Sequence, residues 1–314
     1  MKVYVSDLAA NDKVASHFLL IDPPQVRKSK KGSDYWSFML NDKTGEVEAR
    51  LWDVPAGLDP GTFRKVIVEI KGSVAEWQDK LQISVSQIRC VNRNECDLSD
   101  FFEKSPFDID EMWDELNAIV GAHCLGKAGE FAKLLLEKYS DEFRTSPAAV
   151  RVHHAYIGGL LEHVLSMCKT SIHVSYRYGL RTNLMVLACI CHDIGKLQEL
   201  SHDFGTSYTI PGTLVGHIVL GIDMCSRIMD EVEDFPEDLK IAVLHLIASH
   251  HGLLTYGSPK VPLMREAITF HLIDMLDAKL AICDRAFKSG ISDEGMTEWV
   301  RELEGPLWRG PLEE

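Results

Sequence analysis

A chain of 314 residues with 46% apolar content can bury two separate cores, and near-average Gly and Pro with well-mixed charge exclude a disordered or low-complexity chain. A net charge of −14 argues against nucleic acid as a partner of the whole surface, but the acidity is unevenly placed. Residues 1–95 hold 14 Lys+Arg against 13 Asp+Glu, which leaves 19 against 34 for the rest, so a local basic surface on the first part remains open.

The eight cysteines form no CxxC pair, and several lie in apolar helical stretches. A core of this size needs no staples, so reduced, buried thiols and a cytoplasmic setting are expected. The opening Met-Lys-Val-Tyr-Val-Ser-Asp lacks the apolar core of a signal peptide. The apolar run Leu184–Cys191 is only eight residues, too short to span a membrane, so no membrane partner is expected.

The first domain, residues 1–92, reads as strands. Val14–Ile21 is mostly apolar, while Tyr35–Leu40 and Val47–Trp52 alternate with period two, as do Lys65–Ile70 and Leu81–Ile88. Asn41–Gly45 is a turn, and Lys-Gly-Ser at 71–73 is expected to break a strand. Five short strands at this spacing suit a small closed barrel. Such a barrel can bind a nucleic-acid strand by stacking and charge, with Arg27, Lys28, Lys30 and Lys31 as a basic loop. Tyr35, Trp36, Trp52 and Trp77 are possible platforms, although on alternating strands about half of any such set must face the core.

Residues 93–107 are polar without a strong period and read as a linker. From 108 to 314 the pattern becomes helical. Asp108 or Asp110 is placed to cap a helix carrying Met112, Leu116, Ile119 and Val120, and Phe131 to Leu136 mark another. A segment from Ala148 past His163 carries Gly158-Gly159 in its middle, where close approach of a helix or substrate would explain the glycines. Leu184–His192, Leu214–Met229, Leu239–His251 and Leu263–Lys288 complete an all-α domain.

Histidines and aspartates recur through these helices: His163, His192-Asp193, His217, His250-His251, Asp274 and Asp277. Imidazole and carboxylate readily share a divalent transition metal. Gly195 and Gly252 follow the two dyads and are expected to end their helices there, so that neighbours flank one cleft. Asp193 has two oxygens and can bridge two cations. Lone histidines such as His173, His202, His245 and His271 are more simply satisfied polar residues. His153 and His154 are candidates for facing a substrate phosphate.

Tyr35-Trp36-x-Phe38-x-Leu40-x-Asp42-x-x-Gly45, followed by Ala49-x-Leu51-Trp52-Asp53, resembles the OB-fold domains that bind single-stranded nucleic acid. The ligand set His163…His192-Asp193…His217…His250-His251…Asp274 resembles the HD-domain phosphohydrolases in their dinuclear form. Arg151–Ala155, Gly158–His163, His192–Lys196 with Glu199-Leu200, Leu214–His217, Ser249–Gly252, Gly257–Pro259, Glu266-Ala267 and Asp274-x-x-Asp277-Ala278-Lys279 resemble the YhaM-type 3′-5′ exoribonucleases. The likeness covers nearly the whole chain.

That resemblance implies a small OB-like β-barrel followed by an all-α HD domain. It implies an enzyme that hydrolyses single-stranded RNA, or single-stranded DNA, from the 3′ end to 5′-mononucleotides. Two cations would be held by His163, His192, Asp193, His217, His250, His251 and Asp274. Manganese is favoured, with cobalt, iron or nickel as alternatives, because mixed His/carboxylate ligands suit these better than magnesium. Ligand aspartates of this type precede an acidic-Ala pair by three residues, which favours Asp274 and leaves Asp277 to hold a ligand or Lys279. Lys196 would contact the phosphate. The alternatives are a hydrolase of small or cyclic nucleotides, which has no need of a strand-binding platform, and a non-catalytic nucleic-acid-binding protein. Oligomeric state is not legible in the sequence.

Overall fold

The computed structural model of the protein describes residues 2–29, 32–77, 80–92, 95–102, 104–149, 156–201, 207–292 and 294–310. The chain divides into two compact units, a strand-built unit up to Lys104 and a helical unit from Ser105.

In the first unit, β1 (Lys13–Leu20), β2 (Gln25–Lys28), β3 (Asp34–Asp42), β4 (Gly45–Leu51), β5 (Val66–Trp77) and β6 (Lys80–Val91) form one sheet in the order β1-β5-β6-β4-β3-β2. Leu19 also pairs with Asn41, so β1 meets β3 and five strands close into a barrel, with β2 added at the edge of β3. All pairings are antiparallel except β4 with β6. This is the small Greek-key barrel of the OB fold, as the strand pattern implies. Alternation decides its core: Trp36, Phe38 and Leu40 of β3 and Val47, Ala49 and Leu51 of β4 point in, against Phe18, Ile70 and Ile83.

Three sequence expectations change here. The basic loop begins as a strand: Arg27 and Lys28 belong to β2, paired with Tyr35 and Asp34. Lys30 and Lys31 lie outside the described residues. Lys71-Gly72-Ser73 does not break β5; the strand runs through with a register shift at Lys71/Gly72. A Cβ on Gly72 would collide with the carbonyl oxygen of Ser84, so glycine is needed for the neighbouring backbone to approach, not for a turn. Within the stretch read as a linker, Phe101 packs on Leu19, Ile67 and Val91, and the Tyr4 hydroxyl donates to Asp100 at 2.6 Å, so 95–102 covers the outside of the barrel.

The helical unit comprises α1 (Ile109–His123), α2 (Lys127–Lys138), α3 (Ser140–Thr145), α4 (Gly159–Tyr178), α5 (Thr182–Cys191), α6 (Lys196–Glu199), α7 (Ile210–Leu214), α8 (His217–Glu231), α9 (Glu237–Ser249) and α10 (Arg265–Ser289). A two-stranded ribbon, β7 (Leu200–Ser201) with β8 (Ser207–Tyr208), is a small addition to the expected all-α reading. Asp108 caps α1, accepting from the amides of Asp110 and Glu111. Every residue from Leu184 to Cys191 is buried, which identifies α5 as the central helix, since a helix apolar on all sides must be enclosed. Five of the eight cysteines are buried in this core and none forms a disulfide.

Two glycine readings also change. Gly158-Gly159 does not interrupt a helix; Gly158, at φ +80°, starts α4, and its Cβ would press on Ile109. The expected helix Leu214–Met229 is broken at Gly216, φ +81°, so α8 begins at His217.

Candidate metal centre

Both dyads stand at helix C-termini. His192 closes α5, with Asp193 one residue beyond, and His250 closes α9, with His251 next. Exposed carbonyls at such ends favour a cation. Gly252, at φ +79°, turns the chain away after the second dyad, and a Cβ there would strike the His271 ring. Gly195 works differently from expectation. Its φ is −62°, in the helical region, and its missing side chain lets the first turn of α8 approach, because a Cβ would collide with the His217 carbonyl. That contact brings His217 to the site.

The sequence-predicted ligands converge in two groups, each with ligand atoms within 4.8 Å of one another: His163, His192 and Asp274, and His217, His250 and His251. Asp193 lies between them. Its Oδ2 faces the first group, 3.3 Å from His192 Nε2 and 3.9 Å from His163 Nε2. Its Oδ1 faces the second, 3.8 Å from both His217 Nε2 and His250 Nε2.

Each of the five histidines turns Nδ1 away and Nε2 inward. His192, His250 and His251 donate from Nδ1 to the carbonyls of Cys189 (3.0 Å), Ile247 (2.7 Å) and Tyr256 (2.9 Å). His163 Nδ1 meets Asp277 at 2.7 Å, and His217 Nδ1 meets Glu199 at 3.0 Å. An Nδ1–H held this way fixes the tautomer and leaves the Nε2 lone pair for a metal. Among the described residues, three of the seven buried side-chain atoms without a hydrogen-bond partner lie at this site: Asp193 Oδ1, His217 Nε2 and His250 Nε2. Unpaired buried polar atoms are costly. Their 3.8 Å spacing is too long for hydrogen bonds but suits atoms sharing an ion at bond lengths of about 2.0–2.2 Å, so the residues fit a divalent metal.

Asp274 and Asp277 divide along α10. Asp274 Oδ1 is 3.5 Å from the inward His163 Nε2, whereas Asp277 holds the outward Nδ1 and accepts from Ser166 at 2.5 Å. Lys196 Nζ lies 2.6 Å from Asp193 Oδ2 and lines the same cleft of about 280 Å³. Lys279 is exposed on α10, and His153 and His154 lie outside the described residues.

The electrostatics suit cations. Burial works against charge on Asp193, but Lys196 and His192 hold its carboxyl well below the usual range. Burial opposes a proton on His163, yet Asp274 and Asp277 raise it to about 10, so the proton that its Nε2 shares with His192 Nε2 at 3.2 Å holds the place a metal would take and must leave when one binds. Burial and His192 push His250 the other way, towards the neutral form that ligates.

Residues 160–279 match the HD domain family model. The helical unit contains an HD domain over these residues. Its class is that of metal-dependent phosphohydrolases, and the His/Asp groups of this HD domain can hold divalent metal. Among solved structures the chain is similar to the second OB-fold domain of replication protein A from Methanococcus maripaludis, at 25% identity over 30% of this chain and 97% of that one, TM-score 0.25. It is also similar to mitochondrial single-stranded DNA binding proteins from S. cerevisiae, at 7% identity over 27% of this chain and 98% of that one, TM-score 0.22.

On the barrel, the predicted contacts separate. Strand register pairs Arg27 with Tyr35, and Tyr35 extends the row by stacking at 4.6 Å on Trp52, one residue past β4, with the Arg50 guanidinium 5.8 Å from the Trp52 ring. Trp36 is not available for stacking: it points inward, 2% exposed, edge-on to Phe63. Lys28 has the opposite parity to Arg27 on β2. Trp77 is exposed and lines a groove with Met39 and Lys80 that Arg50 also borders. Sequence reasoning missed Glu199 as the partner of His217, and it missed Tyr256 and His271 in the cleft. Glu199, close behind the His192–Lys196 motif, is a signal for the first; nothing in the sequence marks the others.

Proposed function

We propose that the protein is a 3′-5′ exoribonuclease that removes 5′-mononucleotides from single-stranded RNA with the help of two divalent ions, most naturally manganese. The observation that carries this reading is Asp193, whose two oxygens face two separate groups of inward-turned Nε2 atoms. One such bridge with three donors on each side is the arrangement a two-ion phosphodiesterase requires.

His163, His192 and Asp274 would hold one ion, His217, His250 and His251 the other, and Asp193 both. When bound, the ions supply Lewis acidity at the phosphoryl oxygens and a lowered pKa for water. Hydrolysis forms a P–O bond from water and breaks the bond from phosphorus to the 3′ oxygen of the preceding nucleotide. That leaves a 5′-monophosphate and a shortened strand with a free 3′ hydroxyl. Lys196 has three N–H donors, and pairing with Asp193 leaves two for non-bridging oxygens. The barrel row Arg27, Tyr35, Trp52 with Arg50 supports strand binding, since rings stack bases and guanidinium groups follow phosphates. The 3′ polarity rests on the motif resemblance.

The test is 5′-labelled single-stranded RNA incubated with Mn²⁺. A ladder shortening from the 3′ end is expected, abolished by chelator. Immediate release of labelled mononucleotide would reverse the polarity. Intact RNA, with hydrolysis of a small cyclic nucleotide, would replace the reading by the small-substrate alternative. Parallel single-stranded DNA measures the sugar preference.

A further inference from the structure

The cleft beside the two histidine groups has a wall that metal binding does not explain. Tyr256, Met275 and Ala278 line it with Asp193, Lys196 and Asp274. Tyr256 is 60% exposed on the short turn Leu254–Tyr256, which Gly257 ends at φ +88°. Its carbonyl accepts from His251 Nδ1, so one residue both orients a candidate ligand and lines the cleft. Met275 follows Asp274 on α10, and Ala278 comes one turn later, so the helix presenting the carboxylate also presents apolar surface. At about 280 Å³ the space lies at the small end of ligand sites and has room for about one nucleotide.

We propose that Tyr256, with Met275 as a second apolar contact, is the platform for the base of the 3′-terminal nucleotide. This rests on the exonuclease reading above and adds a subsite to it. The terminal phosphodiester lies at the polar end, against Asp193, Lys196 and the histidines. Its nucleoside lies at the apolar end, where a ring face meets any of the four bases equally, because every base has a π-face. A thioether beside the ring adds polarizable contact without demanding a hydrogen-bond pattern. The subsite selects for the presence of a base and not for its identity.

The test compares two RNAs that differ only at the 3′-terminal residue, one normal and one lacking its base, at limiting concentration with Mn²⁺. The wild-type protein should release the normal terminal residue roughly ten- to a hundredfold faster, the range of one base–aromatic stack. Tyr256→Leu should reduce that preference to within about threefold, and Tyr256→Phe should keep it, since the ring remains. Each preference is a ratio within one protein, so a general loss of activity in a variant cancels. Equal rates on both RNAs in the wild type, or a preference that survives in Tyr256→Leu, would overturn the platform while leaving the exonuclease intact. Release of neither terminal residue by the wild-type protein, with a small phosphodiester still hydrolysed, would overturn both.

Discussion

In the HD domain each candidate histidine ligand is fixed twice, by its place in a packed helix and by a hydrogen bond at Nδ1, whereas on the barrel the candidate contacts are held by strand register and by bonds to neighbours on the same strand, Arg27 to Gln25 and Arg50 to Glu48. Tyr35 and Trp52 support each other, with Trp52 exposed and Tyr35 half-buried. The difference follows from what each surface would bind. A metal needs donors preorganised to a fraction of an ångström. A single strand is flexible and can adapt to a row of rings and charges. Damage to the first surface should therefore be steep and to the second graded.

The steepest case is Asp193, which faces both groups. Asp193→Asn should lower RNA hydrolysis on the order of 10³-fold and reduce bound Mn²⁺ below two per chain. Near-normal turnover with full metal content would remove the bridge from the mechanism. The hydrogen bonds behind the ligands come next. Glu199→Gln and Asp277→Asn leave all seven candidate ligands in place, and each should weaken metal binding about 10- to 100-fold by calorimetric titration. Unchanged affinity in both would mean that packing alone orients these rings.

Two adjacent residues on β3 sharpen the contrast inside the barrel. Trp36→Ala empties a core site and should cost about 3–5 kcal/mol in denaturant unfolding. Tyr35→Ala and Trp52→Ala should leave stability nearly unchanged but weaken single-stranded RNA binding about 5- to 100-fold each. If both of these variants bound RNA as wild type does, the strand would follow another path, and the groove beside Trp77 is the next to test.

These cases show where the sequence was readable. Metal chemistry restricts residue type, so His163, His192, Asp193, His217, His250, His251 and Asp274 could be gathered by type and spacing, and all lie within one cluster. The barrel strands were visible because burial on one face writes a period of two. Which of Tyr35 and Trp36 faces solvent depends on which parity the barrel closes upon, a tertiary fact that two neighbouring aromatics conceal. Edge strand β2 is short and polar and carries no apolar period to detect. Gly72 and Gly195 are set by what approaches them from Ser84 and His217, distant in sequence. Tyr256 reaches the cleft through a carbonyl bond that no side-chain pattern records.

The gentlest test concerns the join between the helices that carry the site. Glu266, in the first turn of α10, accepts from the Arg181 side chain at 3.0 and 3.1 Å and from its backbone amide at 3.2 Å, at the start of α5. The Arg181 guanidinium holds the Glu266 carboxyl down at about 2, against a smaller opposing push from burial. A carboxyl whose folded pKa lies below its unfolded value of about 4.3 stabilises the fold above that value and ceases to do so as pH falls towards 2. Because Arg181 is 59% exposed, solvent screens the pair, and the contribution at pH 7 should be about 1 kcal/mol. Glu266→Gln should therefore be less stable than wild type by that amount at pH 7, with the gap closing between about pH 4.5 and 2. Denaturant midpoints of the two proteins across that range decide it. A gap that stays constant would assign Glu266 to neutral hydrogen bonding, and the α5–α10 join would then owe nothing to charge.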